Sequence, residues 1–267
     1  DAVGGGGGGG GGDGGGGGAA VAGAGGGAGG GAGVFDASTM RSHPEKFWSL
    51  ARTLFLPVAR GTRLPTPAHA LIASLARAGW LFRCFTQNVD GLEQAAGVPD
   101  DAVVCAHGSA HAARCTDEAG CGLRLARGSD GMAAVWDAVE AGEVPMCPRC
   151  GAAPLRPSVV AFGEAIPAEF HAHARSDLAA ADAVVVMGTS LVVFPFAGLL
   201  RQCGLLAPRL LINREATGPW RGGGVNGETA FRDAAWLGDC QEGAAALAAA
   251  LQLDSGDATA AAAAAAS

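Results

Sequence analysis

Asp182-Ala183-Val184-Val185-Val186-Met187-Gly188-Thr189-Ser190 is the stretch that decides the fold. A short, β-branched apolar run closed by Gly-Thr-Ser reads as a strand (182–187) buried on both faces, feeding a polar loop. The same form recurs outward from it. Residues 209–212 make another apolar run, ending at Asn213-Arg214-Glu215, and 234–237 a last short one before Asp239-Cys240. Upstream, 80–85 reads as a strand delivering Thr86-Gln87-Asn88-Val89-Asp90, 102–106 as one ending at His107, and 158–162 as one running into Gly163-Glu164. Helical signals alternate with these runs. Residues 43–55 carry Phe47, Leu50, Leu54 and Phe55 near helical spacing. Thr66-Pro67 is an N-cap followed by Pro at the first helical position, with Leu71, Ile72, Leu75 and Ala78 as the buried face and Gly79 as the stop. Residues 167–179 and 241–253 also read as helices. Apolar strands alternating with helices imply an α/β fold whose parallel sheet is covered on both faces.

In such sheets ligands bind beyond the carboxyl ends of the strands. Gln87, Asn88, Asp90, His107, Thr189, Ser190, Asn213 and Glu215 all end strands and would converge along one edge. Singly, each has a plain reading: Asn and Asp are turn formers, Gly-Thr-Ser is often a helix cap, and a lone histidine is commonly just packed.

Four cysteines add a second constraint. Cys115-x5-Cys121 and Cys147-x2-Cys150, about 25 residues apart, have the form of a tetrahedral thiolate site for one Zn²⁺. Four thiolates leave no open coordination position, so such a zinc holds structure and activates no water. A disulfide framework is the competing reading, but 267 residues can build a core without staples and no secretory signal pattern is visible. The compartment is then reducing and intracellular, nuclear or cytoplasmic. Cys84, Cys105, Cys203 and Cys240 lie in or beside apolar segments, as packed free thiols do.

Composition bounds the rest. Residues 1–33 hold 22 of the 45 glycines and cannot bury enough surface to offset chain entropy, so they read as a low-complexity linker. Residues 254–267 form an Ala-rich tail, leaving 34–253 as one α/β domain with a small insertion. A formal charge of −7 argues against sequence-independent nucleic-acid binding, and no apolar run is long enough to span a membrane.

The motifs taken together resemble the sirtuins, the NAD-dependent protein deacylases, and are similar to the class I members. The resembling stretches are 84–90, Ala106-His107-Gly108, the two cysteine pairs, 156–164 (Arg-Pro-Ser-Val-Val-Ala-Phe-Gly-Glu), 187–191, 211–215 and 235–240, in family order. The resemblance implies a Rossmann-type lobe and a zinc lobe inserted over about 108–154. NAD and an acyl-lysine peptide would lie in the cleft between them. It implies an acyl transfer to ADP-ribose that releases nicotinamide: the acyl oxygen attacks the anomeric carbon, and a ribose hydroxyl, deprotonated by a base, then attacks the resulting imidate.

By the same resemblance His107 is that base, for which an imidazole with an unperturbed pKa near 6.5 is suited. Gln87, Asn88, Val89 and Asp90 would hold the nicotinamide-ribose end, and Gly188, Thr189 and Ser190 the phosphate and ribose groups. Asn213, Arg214 and Glu215 would hold the adenosine ribose, and Cys240 would contact the adenine. Val160, Phe162, Gly163 and Glu164 would pair with the substrate backbone as an added strand. Histones or tubulin are candidate partners. The alternatives are a catalytically impaired relative that binds acyl-lysine peptide or an NAD metabolite, and a zinc-ribbon adaptor.

Three departures stand out. The first cysteine pair is more widely spaced than the family's, and Ser158 replaces a usual aspartate. The family's first strand, Gly-Ala-Gly cofactor loop and Pro-Asp-Phe-Arg segment have no counterpart before Val34-Phe35-Asp36. Gly23-Ala24-Gly25 follows no strand signal and reads as linker. Asp1 in place of an initiator methionine points to a fragment or a faulty N-terminal gene model. Without an interior first strand, two apolar strands should gain unpaired edges, and NAD should bind weakly.

Overall fold

The computed structural model describes residues 32–221 and 231–253. The glycine-rich segment, including Gly23-Ala24-Gly25, and the Ala-rich tail lie outside the described residues. A 3₁₀ turn (Ala32–Phe35) opens the described chain and three helices follow: α1 (Ala37–Ser42), α2 (Pro44–Leu54) and α3 (Leu56–Ala59). His43 is the N-cap of α2, and Pro44 takes the first turn, where its missing N–H is no loss. Phe47, Trp48 and Ala51 share the buried face of α2. The Phe47 ring meets Phe35 edge-on at 5.9 Å and stacks on Phe55 at 6.0 Å. The next helix, α4 (Pro67–Arg77), starts at Thr66 with a capping box closed by His69. Its buried residues are Leu71, Ala73 and Ser74, whereas Ala78 is exposed at the C-cap, so the face turns slightly from the one expected.

Among the described residues the strands sort into three sheets. β1 (Cys84–Thr86) pairs in parallel with β2 (Val103–Cys105), α5 (Leu92–Ala95) lying between them in sequence. β3 (Gly108–Cys115) is flanked by the antiparallel strands β4 (Arg124–Leu125) and β5 (Leu155–Val159). The helix α6 (Asp130–Ala141) is inserted between β4 and β5. After α7 (Ala168–Ala180), the strands β6 (Val184–Met187), β7 (Arg209–Asn213) and β8 (Asp233–Leu237) form a parallel sheet in that order, and α8 (Cys240–Ala250) ends the described chain. At the start of β7 and β8, buried Arg209 and Asp233 pair through two 2.6 Å hydrogen bonds, fixing the register. No described helix is long and apolar enough to cross a membrane.

The α/β class, the parallel pairing and the four-cysteine lobe match the expectation, with adjustments. The strand expected over 80–85 shrinks to Cys84–Thr86, because β2 offers only three partners and Trp80 and Phe82 stay more than half exposed. The strand expected over 158–162 instead ends at Val159 and starts at Leu155: its partner is the antiparallel β3, and beyond Val159 only the Asp36–Phe162 bridge continues the pairing. Residues 234–237 of β8 are exposed, so that edge lacks the two-sided cover expected of a parallel sheet.

The expected unpaired edges are present. Among the described residues no strand lies between β1 and β6, whose sheets remain separate. The two strands nonetheless run in the same direction. The Thr189 hydroxyl donates to Gln87 Oε1 at 3.2 Å beyond their carboxyl ends, and Arg83 Nε donates to Asp177 Oδ2 at 2.7 Å near their amino ends. A cavity of about 1440 Å³ separates them, with Phe85, Val185 and Met187 along its sides and Leu71 and Leu75 of α4 against it.

Candidate active site and metal centre

The metal centre is built by the end of β3, the loop that follows it and the turn before β5. Cys115 closes β3, and Cys121 follows in a loop held by Asp117, whose carbonyl accepts from the Cys121 and Gly122 N–H groups. Cys147 and Cys150 sit in a turn closed by the Cys147 N–H to Ala153 and the Gly151 N–H to Cys147. All four sulfur atoms lie within 4.8 Å of one another, with Cys115–Cys150 at 3.8 Å and Cys121–Cys147 at 3.6 Å. A tetrahedron with Zn–S bonds of about 2.3 Å has edges of about 3.8 Å, so the set fits Zn²⁺ without rearrangement. Backbone N–H groups, Ala153's first and Ala152's next, pull the Cys150 thiol down to about 7, toward the thiolate a metal needs. With four sulfur ligands the coordination is closed, and the zinc is structural.

A second cluster of polar groups lies at the strand ends. His107 follows β2, and its Nδ1–H donates to the Gln87 carbonyl at 3.1 Å, which leaves Nε2 as the ring's free lone pair. Gly108 beside it has φ +72°, and a Cβ there would collide with the Ser158 carbonyl oxygen on β5. Only glycine lets β3 leave His107 in this direction. Gln87 accepts from Thr189, and Asn213 Nδ2 donates to the Thr189 carbonyl at 3.3 Å and to the Glu215 carbonyl at 2.8 Å. One hydrogen-bonded line thus joins Gln87, Thr189 and Asn213 across three strand ends, with His107 attached to its first member. The Asn88 N–H is held by Thr86 Oγ1 at 3.1 Å, and Asp90 Oδ1 accepts from the Leu92 N–H at 3.3 Å. Gly188 has φ +59°, and a Cβ there would rest 3.7 Å from Cys240 Sγ; that thiol donates to the Ile212 carbonyl at 3.2 Å. Arg214 is exposed and reaches Asp239 at 3.4 Å.

The stretch named for substrate pairing leaves β5 at Val160, whose N–H donates to the His107 carbonyl at 2.8 Å. Phe162 is exposed and bridges Asp36. The Glu164 side chain turns inward: Arg156 grips it at 2.7 and 2.8 Å, Arg114 lies at 3.1 Å, and the Ala161 N–H donates to it at 3.0 Å. Burial pushes the Glu164 carboxyl up, but the Arg156 hydrogen bonds, the Ala161 N–H and the two arginine charges outweigh it and hold the group at about 2.

Two supporting residues have no role in the sequence reading. Arg156 is fully buried, and no sequence signal distinguishes a buried from an exposed arginine. His111 is buried on β3, where its Nε2–H donates to the Asp90 carbonyl at 2.6 Å and its ring lies 5.2 Å from Trp136. Alternation along β3 and the Met132, Val135, Trp136, Val139 spacing in α6 would have pointed to that contact.

A Sir2 family model matches residues 31–195. The chain belongs to the Sir2 family. It is similar to NAD-dependent protein deacetylase sirtuin-2 of Danio rerio (35% identical over 225 residues, 80% of this chain and 56% of that protein). It is also similar to sirtuin-3 of Mus musculus (37% over 187 residues, 70% and 52%). The deacetylase hst2 of Schizosaccharomyces pombe matches at 37% over 207 residues (78% and 56%). The chain thus spans about half the length of these Sir2 relatives.

Proposed function

We propose that this Sir2 chain is an NAD-dependent protein-lysine deacylase, transferring the acyl group of an acyl-lysine to ADP-ribose with release of nicotinamide. The observation that carries the reading is the His107 tautomer: with Nδ1–H committed to the Gln87 carbonyl, Nε2 is left to accept a proton from a ribose hydroxyl. Gln87, Asn88, Val89 and Asp90 hold the nicotinamide-ribose end, and Gly188, Thr189 and Ser190 take the phosphate and ribose groups. Asn213, Arg214, Glu215 and Cys240 bind the adenosine end. Val160, Phe162, Gly163 and Glu164 pair with the peptide backbone, with Glu164 acting through its arginine clamp to shape that segment. The substrate is an acyl-lysine protein, for which histones and tubulin are candidates. Four zinc thiolates suit a reducing compartment, nuclear or cytoplasmic.

The test measures nicotinamide release from NAD with an acetyl-lysine peptide. His107→Ala lowers the rate by about 10²-fold while zinc content stays at that of the parent chain. With a strand and cofactor loop restored ahead of Val34, release indistinguishable from the peptide-free background, or near-parental turnover by His107→Ala, would overturn the reading; the chain without them should show little or no release.

A further inference from the structure

A formal charge of −7 makes the chain acidic, yet the end of the proposed peptide segment is cationic. Arg114 on β3 and Arg156 on β5 stand directly opposite each other in the antiparallel register. Like charges so placed destabilise a sheet unless an anion lies between them. Glu164 is that anion. Its carboxylate lies 2.7 Å from Arg156, 3.1 Å from Arg114 and 3.8 Å from Arg41, which sits in the last turn of α1. Fully buried Arg156 donates one hydrogen bond to each carboxylate oxygen, so little of that charge is left for the other two cations. Glu118 lies 3.6 Å from Arg114 but is half exposed. With Asp36 counted, whose backbone bridges Phe162, three acids (Asp36, Glu118 and Glu164) face four arginines (Arg41, Arg114, Arg124 and Arg156). Arg114 records the imbalance. Burial, and next the Arg156 charge, push its guanidinium down from the ordinary value, and its buried Nε has no hydrogen-bond partner among the described residues.

We propose that Arg41 and Arg114 select substrates that carry an acidic side chain beside the acyl-lysine. The inference rests on the proposed reading that Val160, Phe162, Gly163 and Glu164 pair with the peptide backbone, and it names a substrate class within that reading. A peptide strand running past Glu164 brings its side chains to the place where the arginines gather. A guanidinium is a planar fork with five N–H donors, so one already turned toward a carboxylate can hold a second. Arg114 spends only Nη2 on Glu164, and Arg41 reaches Glu164 at 3.8 Å without a hydrogen bond, its side chain more than half exposed. Both therefore have donors to give. A lysine in the same place would add to the surplus of positive charge, so the pair that attracts an acidic neighbour also rejects a basic one. Neither arginine is hydrogen-bonded to a strand-end group proposed for NAD, so the selection can be read as peptide binding, with no cofactor and no turnover.

Peptide affinity decides the matter, read by fluorescence anisotropy on the full chain without NAD. The probes are acetyl-lysine peptides of one length with alanine neighbours, in which Glu or Lys replaces each neighbour in turn. At one or more positions the Glu peptide should bind about tenfold tighter than the Lys peptide at low ionic strength, and the ratio should shrink in high salt. Arg41→Gln and Arg114→Gln should each lower the ratio, and Arg41→Glu should abolish or invert it. If loss of a Glu164 partner unfolds the Arg114 variant, Arg41→Gln carries the comparison, because that side chain is more than half exposed. Acetyl-lysine peptides bound in preference to their unacetylated forms, but with equal affinity for Glu and Lys neighbours, would overturn this inference alone. So would a Glu preference undiminished in Arg41→Glu. Acetylated and unacetylated peptides bound alike, or not at all, would overturn the deacylase reading and this inference with it.

Discussion

The zinc lobe and the parallel sheets solve the same problem of strand edges in opposite ways. In the lobe, β3 has a partner on each side, its end is clamped by four thiols, and its base rests on an aromatic cluster that includes Trp48 and Trp136, edge-on at 6.2 Å. Among the described residues the parallel strands β1 and β6 are joined only by side chains, with Thr189–Gln87 as the stitch. Covalent-strength ligation therefore sets the shape of one region, whereas weak polar contacts across an open seam set that of the other. The region that carries the four thiols is the more tightly specified.

The largest expected effect breaks the lobe alone. Cys121→Ala, or chelation of the native chain, should remove one zinc and unfold the lobe, because structural zinc supplies folding free energy of about 10 kcal/mol or more. Metal analysis with hydrogen exchange would show β3 and β5 losing protection while β6, β7 and β8 keep theirs. A metal-free chain with an intact lobe would show that thiol ligation is not what distinguishes the regions.

A smaller but still large effect sits where the lobe meets the chain leaving β5. Arg156→Met leaves Glu164 without its bidentate partner and should destabilise the chain by about 3–5 kcal/mol in denaturant unfolding. Adding Glu164→Gln should recover a large part of that loss. The Glu164 carboxyl is held below its ordinary 4.5, at about 2. Its contribution is thus complete above pH 4.5 and disappears as pH falls toward 2, a dependence that Glu164→Gln should abolish.

What could be read in the sequence follows the same division. Local signals were reliable: Thr66-Pro67 starts α4, Gly188-Thr189-Ser190 ends β6, and the cysteine spacing marks the four thiols that the fold brings together. The strand-end groups Gln87, Thr189 and Asn213 could be placed on one edge because each ends an apolar run. The pairing of β5 could not, since Leu155-Arg156-Pro157 contains a charge and a proline that resemble loop until Arg156 is buried against Glu164. Trp80 and Phe82 look like strand residues because they are apolar, but pairing requires a neighbour, and neighbours across a sheet leave no local trace.

The smallest effect probes the seam between the regions. His111 is pushed down to about 4, chiefly by burial, so it is neutral at pH 7 and donates to Asp90 through Nε2. A folded chain that resists protonating this ring loses stability as pH falls from about 6.5 toward 4, where the unfolded chain takes the proton first. His111→Phe keeps the packing on Trp136, drops the hydrogen bond at about 1 kcal/mol, and should flatten that part of the stability profile. An unchanged profile would assign the slope to other groups and leave the seam without a titrating element.

Gly108 carries a consequence at the level of the gene. Every single-base change of a glycine codon that alters the residue adds at least a β-carbon or ends translation, and a β-carbon at 108 meets the Ser158 carbonyl. Position 108 therefore has no neutral neighbour one mutation away. In a saturation library selected for folded protein it should appear as an empty column, next to a His107 column emptied only when the selection is for turnover.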